Sequence, residues 1–382
     1  MGITIPSFTF SFNVKRASVF LIVAFLWLPI LAYVLGWTSR PLGGVEWSPK
    51  RPDWELDSVR NGVWQSQLTQ WVEQNHPFRS DLIRANNQVV YWLFDRSTNY
   101  VVFGTGNQLY AYNHFEVFAG LKRREPSFFG RLDQRLHGIS SILAAEGIPL
   151  IVVIAPNKVR MLPQFLPASL KSIELRDGDY LNFVARVRSV PVVDLMARLQ
   201  EKKALIEGPV FANTGLHWNQ NGVFLSMPTL DSALAKALGS QPQGFFIDGG
   251  VWDDRLRLKD DADLAERSDL VIPPATQKQF YPILKADRPW VTKPKLLLIS
   301  DSFGYTLIKT GALDLLSDNW EFWFYNKSVV KRNADKRPLI ASESSSRWTE
   351  FDVVILMATE YNLSALPYGF SPVSPSKSIN RK

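Results

Sequence analysis

The most sustained pattern in the chain is Ala17 to Trp37, ASVFLIVAFLWLPILAYVLGW, an apolar run that no charge or side-chain amide interrupts. At 1.5 Å per residue, these 21 positions span about 30 Å, the thickness of a bilayer's hydrocarbon core. Trp27, Tyr33 and Trp37 stand where a signal peptide would place small residues for cleavage, so an uncleaved anchor is expected. Lys15 and Arg16 on one side face Arg40, Lys50 and Arg51 on the other, and the positive-inside rule barely discriminates. The short N-terminal side favours a single pass with the bulk of the chain outside the cytoplasm.

After a Pro-, Gly- and Trp-rich linker from Thr38 to Trp54, apolar residues recur at helical spacing. Trp64, Leu68, Trp71 and Val72, then Leu82, Asn86, Val89, Val90 and Leu93, predict two helices within Val59 to Asp95, parted at His76-Pro77. Beyond residue 125 the period alternates. An amphipathic segment, Phe128 to Glu146, stops at Gly147 and leads into the continuous apolar run Ile148 to Ile154. A helix around Tyr180 to Arg188 precedes the strand Val190 to Asp194, and another follows His217 and ends near Leu238-Gly239. An irregular, charge-rich stretch separates these from the strand Lys295 to Ile299, a helix from about Tyr305 to Leu316, and the strands Glu321 to Tyr325 and Asp352 to Met357. Short apolar runs separated by helices predict an α/β fold, a parallel sheet flanked by helices. The expected organisation is an N-terminal segment and anchor over 1–37, a linker and helical lead-in over 38–125, the α/β domain over 126–370 and a flexible basic tail over 371–382.

Composition then narrows the chemistry. With 46% apolar and 21% charged residues in 382, the chain is globular rather than disordered. It has no Cys, which excludes disulfides, thiolate zinc sites and a cysteine nucleophile. The four His lack metal-binding spacing and no phosphate-binding Gly-rich loop occurs, so neither metal nor cofactor is expected. Asp253-Asp254 and Asp260-Asp-Ala-Asp263 lack EF-hand spacing and read as solvated acidic loops. The net charge of +7 concentrates in two places: Asn326 to Trp348 carries +4, and the tail from Ser371 carries +3 through Lys377, Arg381 and Lys382. Without a nucleic-acid motif, this basicity suits an anionic polysaccharide or membrane headgroups.

In a parallel sheet, reactive groups gather just past the carboxyl ends of the strands. That rule selects Ala155-Pro-Asn-Lys158, Ser300-Asp-Ser-Phe303 and Ala358-Thr-Glu-Tyr361. Ser302, between a strand and a helix, is the candidate nucleophile, with backbone amides of the helix start as candidate oxyanion donors. The structural alternative is that Ser300, Asp301 and Ser302 only cap the helix. His217, in Asn213-Thr-Gly-Leu-His-Trp-Asn219, is the candidate base. His76 and His114, in loops, and His137, on an exposed helix face, are weaker candidates.

In this order the motifs resemble the SGNH-hydrolase-like O-acetyltransferases of bacterial exopolysaccharides, of the AlgJ and AlgX type. His76-Pro-Phe-Arg79 resembles the family's F-P-F-R, and Val101-Val-Phe-Gly104 with Leu109-Tyr110 resembles its V-x-x-G-x-x-G-W-L-F. Pro156-Asn-Lys158, Val193-Asp-Leu195, Leu216-His-Trp-Asn219, Ser300-Asp-Ser-Phe303 and Glu360-Tyr361 follow in family order. The resemblance implies an SGNH-like domain in a bacterial inner-membrane protein facing the periplasm. It implies that Ser302 accepts an acetyl group supplied through a membrane-bound O-acyltransferase partner, that His217 is the base, and that an exopolysaccharide hydroxyl is the acceptor. Asp301 and Phe303 would shape the serine turn, and Trp218 and Asn219 would hold the histidine loop. Asn157, Lys158 and Tyr361 would support the site or contact donor or acceptor. One departure bears on turnover: the family's triad Asp, two residues before the His, is here Gly215. Three explanations stay open, namely a dyad, a carboxylate from elsewhere, or lost catalysis. The alternatives to a transferase are accordingly a non-catalytic accessory that binds polysaccharide or complex partners, and an acetylesterase.

Overall fold

The computed structural model describes residues 14–43, 50–202, 206–255, 257–332 and 334–373. The extreme N-terminal segment and the tail cations Lys377, Arg381 and Lys382 lie outside these residues. Two units are distinguished. One holds the chain up to Phe94 together with Asp269–Ile272, and the other holds Asp95–Ser268 and everything from Pro273 onward.

The apolar run forms the helix Val14–Val34, in which Ala17–Val34 is long and apolar enough to cross a membrane. Two further helices, Val63–Asn75 and Arg79–Phe94, meet at His76-Pro77, where proline cannot continue a helix. The stripe Leu82, Val89 and Leu93 does not pack into a core: all three side chains are exposed, while Arg84, Asn87 and Gln88 on the other face are buried. Helical periodicity identifies a face but not which way it points.

In the second unit, a small hairpin of β1 (Val101–Phe103) and β2 (Leu109–Ala111) precedes the main sheet. That sheet takes β3 (Leu150–Ala155), β4 (Val192–Asp194), β7 (Lys295–Ser300), β8 (Asn319–Phe324), β9 (Ser328–Lys331), β10 (Arg337–Pro338) and β11 (Val353–Thr359). Their order is β10-β9-β8-β7-β11-β3-β4, with β8, β7, β11, β3 and β4 parallel and β9 and β10 antiparallel at one edge. Every residue of β3 and β11 is buried, as their unbroken apolar sequence requires of strands covered on both faces. Phe129, Leu132, Leu136, Ile139 and Leu143, spaced three and four apart, bury one side of the Pro126–Ala144 helix in the same core. Gly311, with φ of +74°, divides the expected helix after Ser302 into Gly304–Lys309 and Ala312–Leu316.

The charge-rich stretch is not irregular throughout. It contains β5 (Phe245–Asp253), paired antiparallel with β6 (Gln279–Ala286) around a bulge between Ile247 and Gly250, and the one-turn helix Asp263–Arg267. Buried and exposed positions along β5 do not alternate strictly, so the period of two that marks a strand is missing.

Candidate active site

β3, β7 and β11 end side by side, which brings Asn157, Ser302 and Tyr361 to one sheet edge. The serine turn is fixed by Asp301, which is fully buried. Its Oδ1 accepts from the Phe303 N–H at 3.0 Å, and its Oδ2 accepts from the Thr359 N–H and hydroxyl at 3.0 Å and from Asn362 Nδ2 at 2.9 Å. Four donors on one carboxylate leave the strand-to-helix turn little freedom. The helix start is less available to a substrate than its position suggests. The Phe303 amide is taken by Asp301, the Gly304 amide by the Asp301 carbonyl and the Tyr305 amide by the Ser302 carbonyl. The Tyr325 hydroxyl lies near the Ser302 N–H, and burial pushes its pKa up to about 12.

His217 reaches Ser302 across 85 residues of chain, with Nε2 and Oγ 2.9 Å apart. Its Nδ1 lies 2.8 Å from Asp263 Oδ2, and Asp263 Oδ1 accepts from the Leu216 N–H at 2.7 Å. An Nδ1–H donated to Asp263 leaves the Nε2 lone pair facing the serine hydroxyl. The Phe303 ring packs 4.7 Å from the imidazole, Trp218 Nε1 donates to the Phe303 carbonyl at 3.1 Å, and Asn219 caps the Gln220–Ala237 helix by accepting from the Gly222 N–H. Among the three explanations for Gly215, the geometry is that of a carboxylate from elsewhere. Asp263, taken in the sequence for part of a solvated loop, is that carboxylate.

Gly215 is also what lets it in. A Cβ there would stand 2.8 Å from the Asp260 carbonyl oxygen and 3.0 Å from Asp261 Cα, so the Leu258–Asp263 backbone occupies the space of the missing side chain. Thr214 ties the two segments together: its hydroxyl donates to the Asp261 carbonyl at 2.7 Å, and its carbonyl accepts from the Leu264 and Ala265 N–H groups. The acid loop also reaches the nucleophile's helix, through Lys309 and Asp260 at 2.5 Å.

Lys158 does not face substrate. Its buried ammonium donates to the carbonyls of Ala212, Asn213 and Gly215 at 2.7, 2.9 and 2.8 Å, holding the histidine loop from beneath, and burial lowers its pKa to about 7. Asn157 is likewise internal, accepting from the Val159 N–H and donating to Glu360. Tyr361 stacks on His114 with centroids 4.8 Å apart. His114 lies in the helix Tyr112–Phe118 rather than in a loop, and it is buried, with burial lowering its pKa to about 3.

The basic segment from Asn326 to Trp348 is largely neutralised in place. Lys331 pairs with Glu321 at 2.7 Å, Arg332 with Asp314 at 3.0 Å, Arg337 with Glu343 at 2.6 Å, and Arg347 with Glu343 at 3.1 Å as well as with Glu321. Among the described residues no cluster of His, Asp and Glu is arranged to hold a metal ion.

Residues 122–269 match the family described as SGNH hydrolase-like domain, acetyltransferase AlgX. The chain carries an SGNH hydrolase-like domain of the AlgJ/AlgX type. It is 25% identical over 224 residues, 58% of this chain and 54% of the relative, to the probable alginate O-acetylase AlgJ of Pseudomonas fluorescens. The chain thus spans about half the length of the curated relatives it matches. The solved O-acetyltransferase domain of Pseudomonas putida AlgJ is similar at 21% identity and a TM-score of 0.45, over 69% of this chain and 92% of that one. Pseudomonas aeruginosa AlgX is similar at 15% and 0.40, over 73% and 58%. In this AlgJ/AlgX-type domain, Asp263 stands outside the position from which the family's motif supplies its acid. No local signal marked it, because the residue lies 46 positions after His217 in a stretch without clear period.

Gly215→Asp, which rebuilds the family motif, is expected to collide with the Asp260 carbonyl and lower stability by about 1–3 kcal/mol, the usual cost of overpacking, read from thermal unfolding. His114 gives a pH prediction. Because its folded pKa lies below that of an unfolded histidine, acidification protonates the unfolded chain first, and stability is lost as the pH falls from about 6.5 towards 3. Burial pushes the Asp261 carboxyl up to about 7, with the opposite sign, so the comparison must be between variants. His114→Phe should lose less Tm than the parent between pH 7 and 4.5, and equal losses would show that His114 contributes nothing to the acid limb.

Proposed function

We propose that this protein is an O-acetyltransferase of a secreted exopolysaccharide, working through an acetyl-Ser302 intermediate. The observation that carries the reading is the line of contacts Ser302 Oγ, His217 Nε2, His217 Nδ1 and Asp263 Oδ2 at hydrogen-bond distances. His217 takes the Ser302 proton as Oγ bonds to the donor's acetyl carbon. The same proton goes to the departing donor oxygen as its bond to carbon breaks. A sugar hydroxyl, deprotonated in turn by His217, then attacks the acetyl carbon and returns Ser302 to its free form. Asp263 holds the ring in the reactive tautomer and balances the imidazolium that forms in each half-reaction. The Ser302 N–H meets the developing oxyanion, with the protonated Tyr325 hydroxyl beside it.

The acetyl donor is proposed to be a membrane-bound O-acyltransferase partner on the side of the bilayer where the Ala17–Val34 helix ends. The names of the AlgJ relatives support a polysaccharide acceptor. The glycine at 215 favours a non-catalytic reading, and the contact of Asp263 with His217 weighs against it. Transfer to water rather than sugar would make the same site an esterase, since the two differ only in which hydroxyl reaches the acetyl-serine.

Ser302→Ala in the producing cell is expected to abolish polymer-bound acetate while leaving the protein's abundance unchanged. Asp263→Asn should cut acyl-transfer turnover by orders of magnitude with the fold intact, since disabling the triad Asp of a serine protease costs about 10⁴. Normal acetylation in the Ser302 variant would remove the covalent route. Acetate released to water by the purified protein, with none transferred to an oligosaccharide, would favour the esterase.

A further inference from the structure

The Arg79–Phe94 helix is built inside out. Its polar residues Arg84, Asn87 and Gln88 are 5%, 3% and 3% exposed, and each bonds to neighbouring chain. Arg84 donates to the carbonyls of Arg40 at 2.6 Å and Pro41 at 2.5 Å and pairs with Asp269 at 3.8 Å. Asn87 donates to the Asp269 carbonyl, and Gln88 accepts from the Ile272 N–H at 2.8 Å. The outward face carries Leu82, Val89, Trp92 and Leu93, exposed by 61%, 49%, 66% and 67%. At 100° per residue, positions 82, 89 and 93 fall within about 40° of one another, a single stripe. Soluble proteins rarely leave such a stripe to water.

What covers it follows from its place in the chain. The same unit contains the Ala17–Val34 helix, whose Tyr33 ring meets Trp71 of the Val63–Asn75 helix edge-on at 6.4 Å. Ser39, five residues beyond the end of that apolar helix, donates to Asp81 in the first turn of the inverted helix at 2.7 Å. Five extended residues reach at most about 18 Å, so the inverted helix starts close to the membrane boundary. A largely apolar groove of 310 Å³, lined by Pro29, Ile30, Tyr33, Trp71 and Val72, lies between the apolar helix and the Val63–Asn75 helix of the same unit.

We propose that the Arg79–Phe94 helix lies along the surface of the bilayer that Ala17–Val34 crosses, with Leu82, Val89, Trp92 and Leu93 set among its phospholipids. The inference rests on the anchor reading. It adds a second membrane contact, one that fixes the orientation of this unit rather than merely tethering it. A tryptophan within the apolar stripe suits the interfacial layer.

The cysteine-free sequence makes the test direct. The full chain carrying a single nitroxide label at Val89→Cys or Leu93→Cys is reconstituted in nanodiscs of phosphatidylethanolamine and phosphatidylglycerol. Collision rates with oxygen, which concentrates in lipid, and with a water-soluble nickel chelate are then compared. Labels at Leu26→Cys in the apolar helix and at Leu121→Cys, exposed in the other unit, serve as references. Oxygen should dominate at 26, 89 and 93, and nickel at 121. Nickel dominance at 89 and 93 with oxygen dominance at 26 overturns the inference and leaves the anchor standing. Nickel dominance at 26 as well overturns both. Shielding of 89 and 93 from both reagents means that protein, such as a second copy, covers the stripe, and this too overturns the proposal.

Discussion

The candidate site depends on one carboxylate acting at two points. Asp263 accepts from the Leu216 amide with one oxygen and faces His217 Nδ1 with the other, so it fixes the backbone and the ring of the same loop together. A carboxylate held only by the imidazole would leave the ring free to swing about its side-chain torsions. Here the register of the loop and the tautomer of the ring come from one group. Gly215 is the complement of this arrangement, because the acid loop lies where any larger residue would put its Cβ. The glycine at 215 and the placing of Asp263 beside His217 are thus one structural arrangement rather than two.

That coupling explains what the sequence could convey. Ser302 and His217 stand at transitions between elements, Ser302 just past a buried strand and His217 just before a helix, and such transitions show as changes of period. Asp263 stands at the start of a one-turn helix inside a loop, and its role comes from how Thr214 and Gly215 receive that loop. Nothing local encodes it. The pairing of β5 with β6 is hidden in the sequence for a related reason, since burial along β5 does not alternate strictly. The main sheet was legible because all-buried parallel strands need unbroken apolar runs, which polar loops then punctuate.

Charge and polarity mislead when read along the chain, because what counts is the partner across space. Four of the six cations in the basic segment before β11 pair with Glu321, Glu343 and Asp314, two of which lie outside the segment. The Arg79–Phe94 helix makes the same point in reverse: polar residues that would normally face water are buried because carbonyls of the linker and the 269–272 segment receive them. The apolar face is then left outward by default. A hydrophobic stripe marks a surface to be covered, and only the tertiary structure says by what.

Lys158 shows how the histidine loop survives beneath this arrangement. The loop turns its Ala212, Asn213 and Gly215 carbonyls towards the lysine's ammonium, and two of them also accept backbone N–H groups, Asn213 from Leu109 of β2 and Ala212 from Gly215. A buried carbonyl left without a donor costs about 1–3 kcal/mol, and for Gly215 the ammonium is what prevents it. An ammonium supplies three donors from one point, and no neutral side chain of similar length offers as many. Burial favours its neutral amine, which has one donor fewer, while Asp261 and Asp263 nearby favour the charged form. The carboxylate beside His217 therefore also favours the charged form of the lysine that holds the loop carrying it, so histidine, carboxylate and lysine form one connected arrangement.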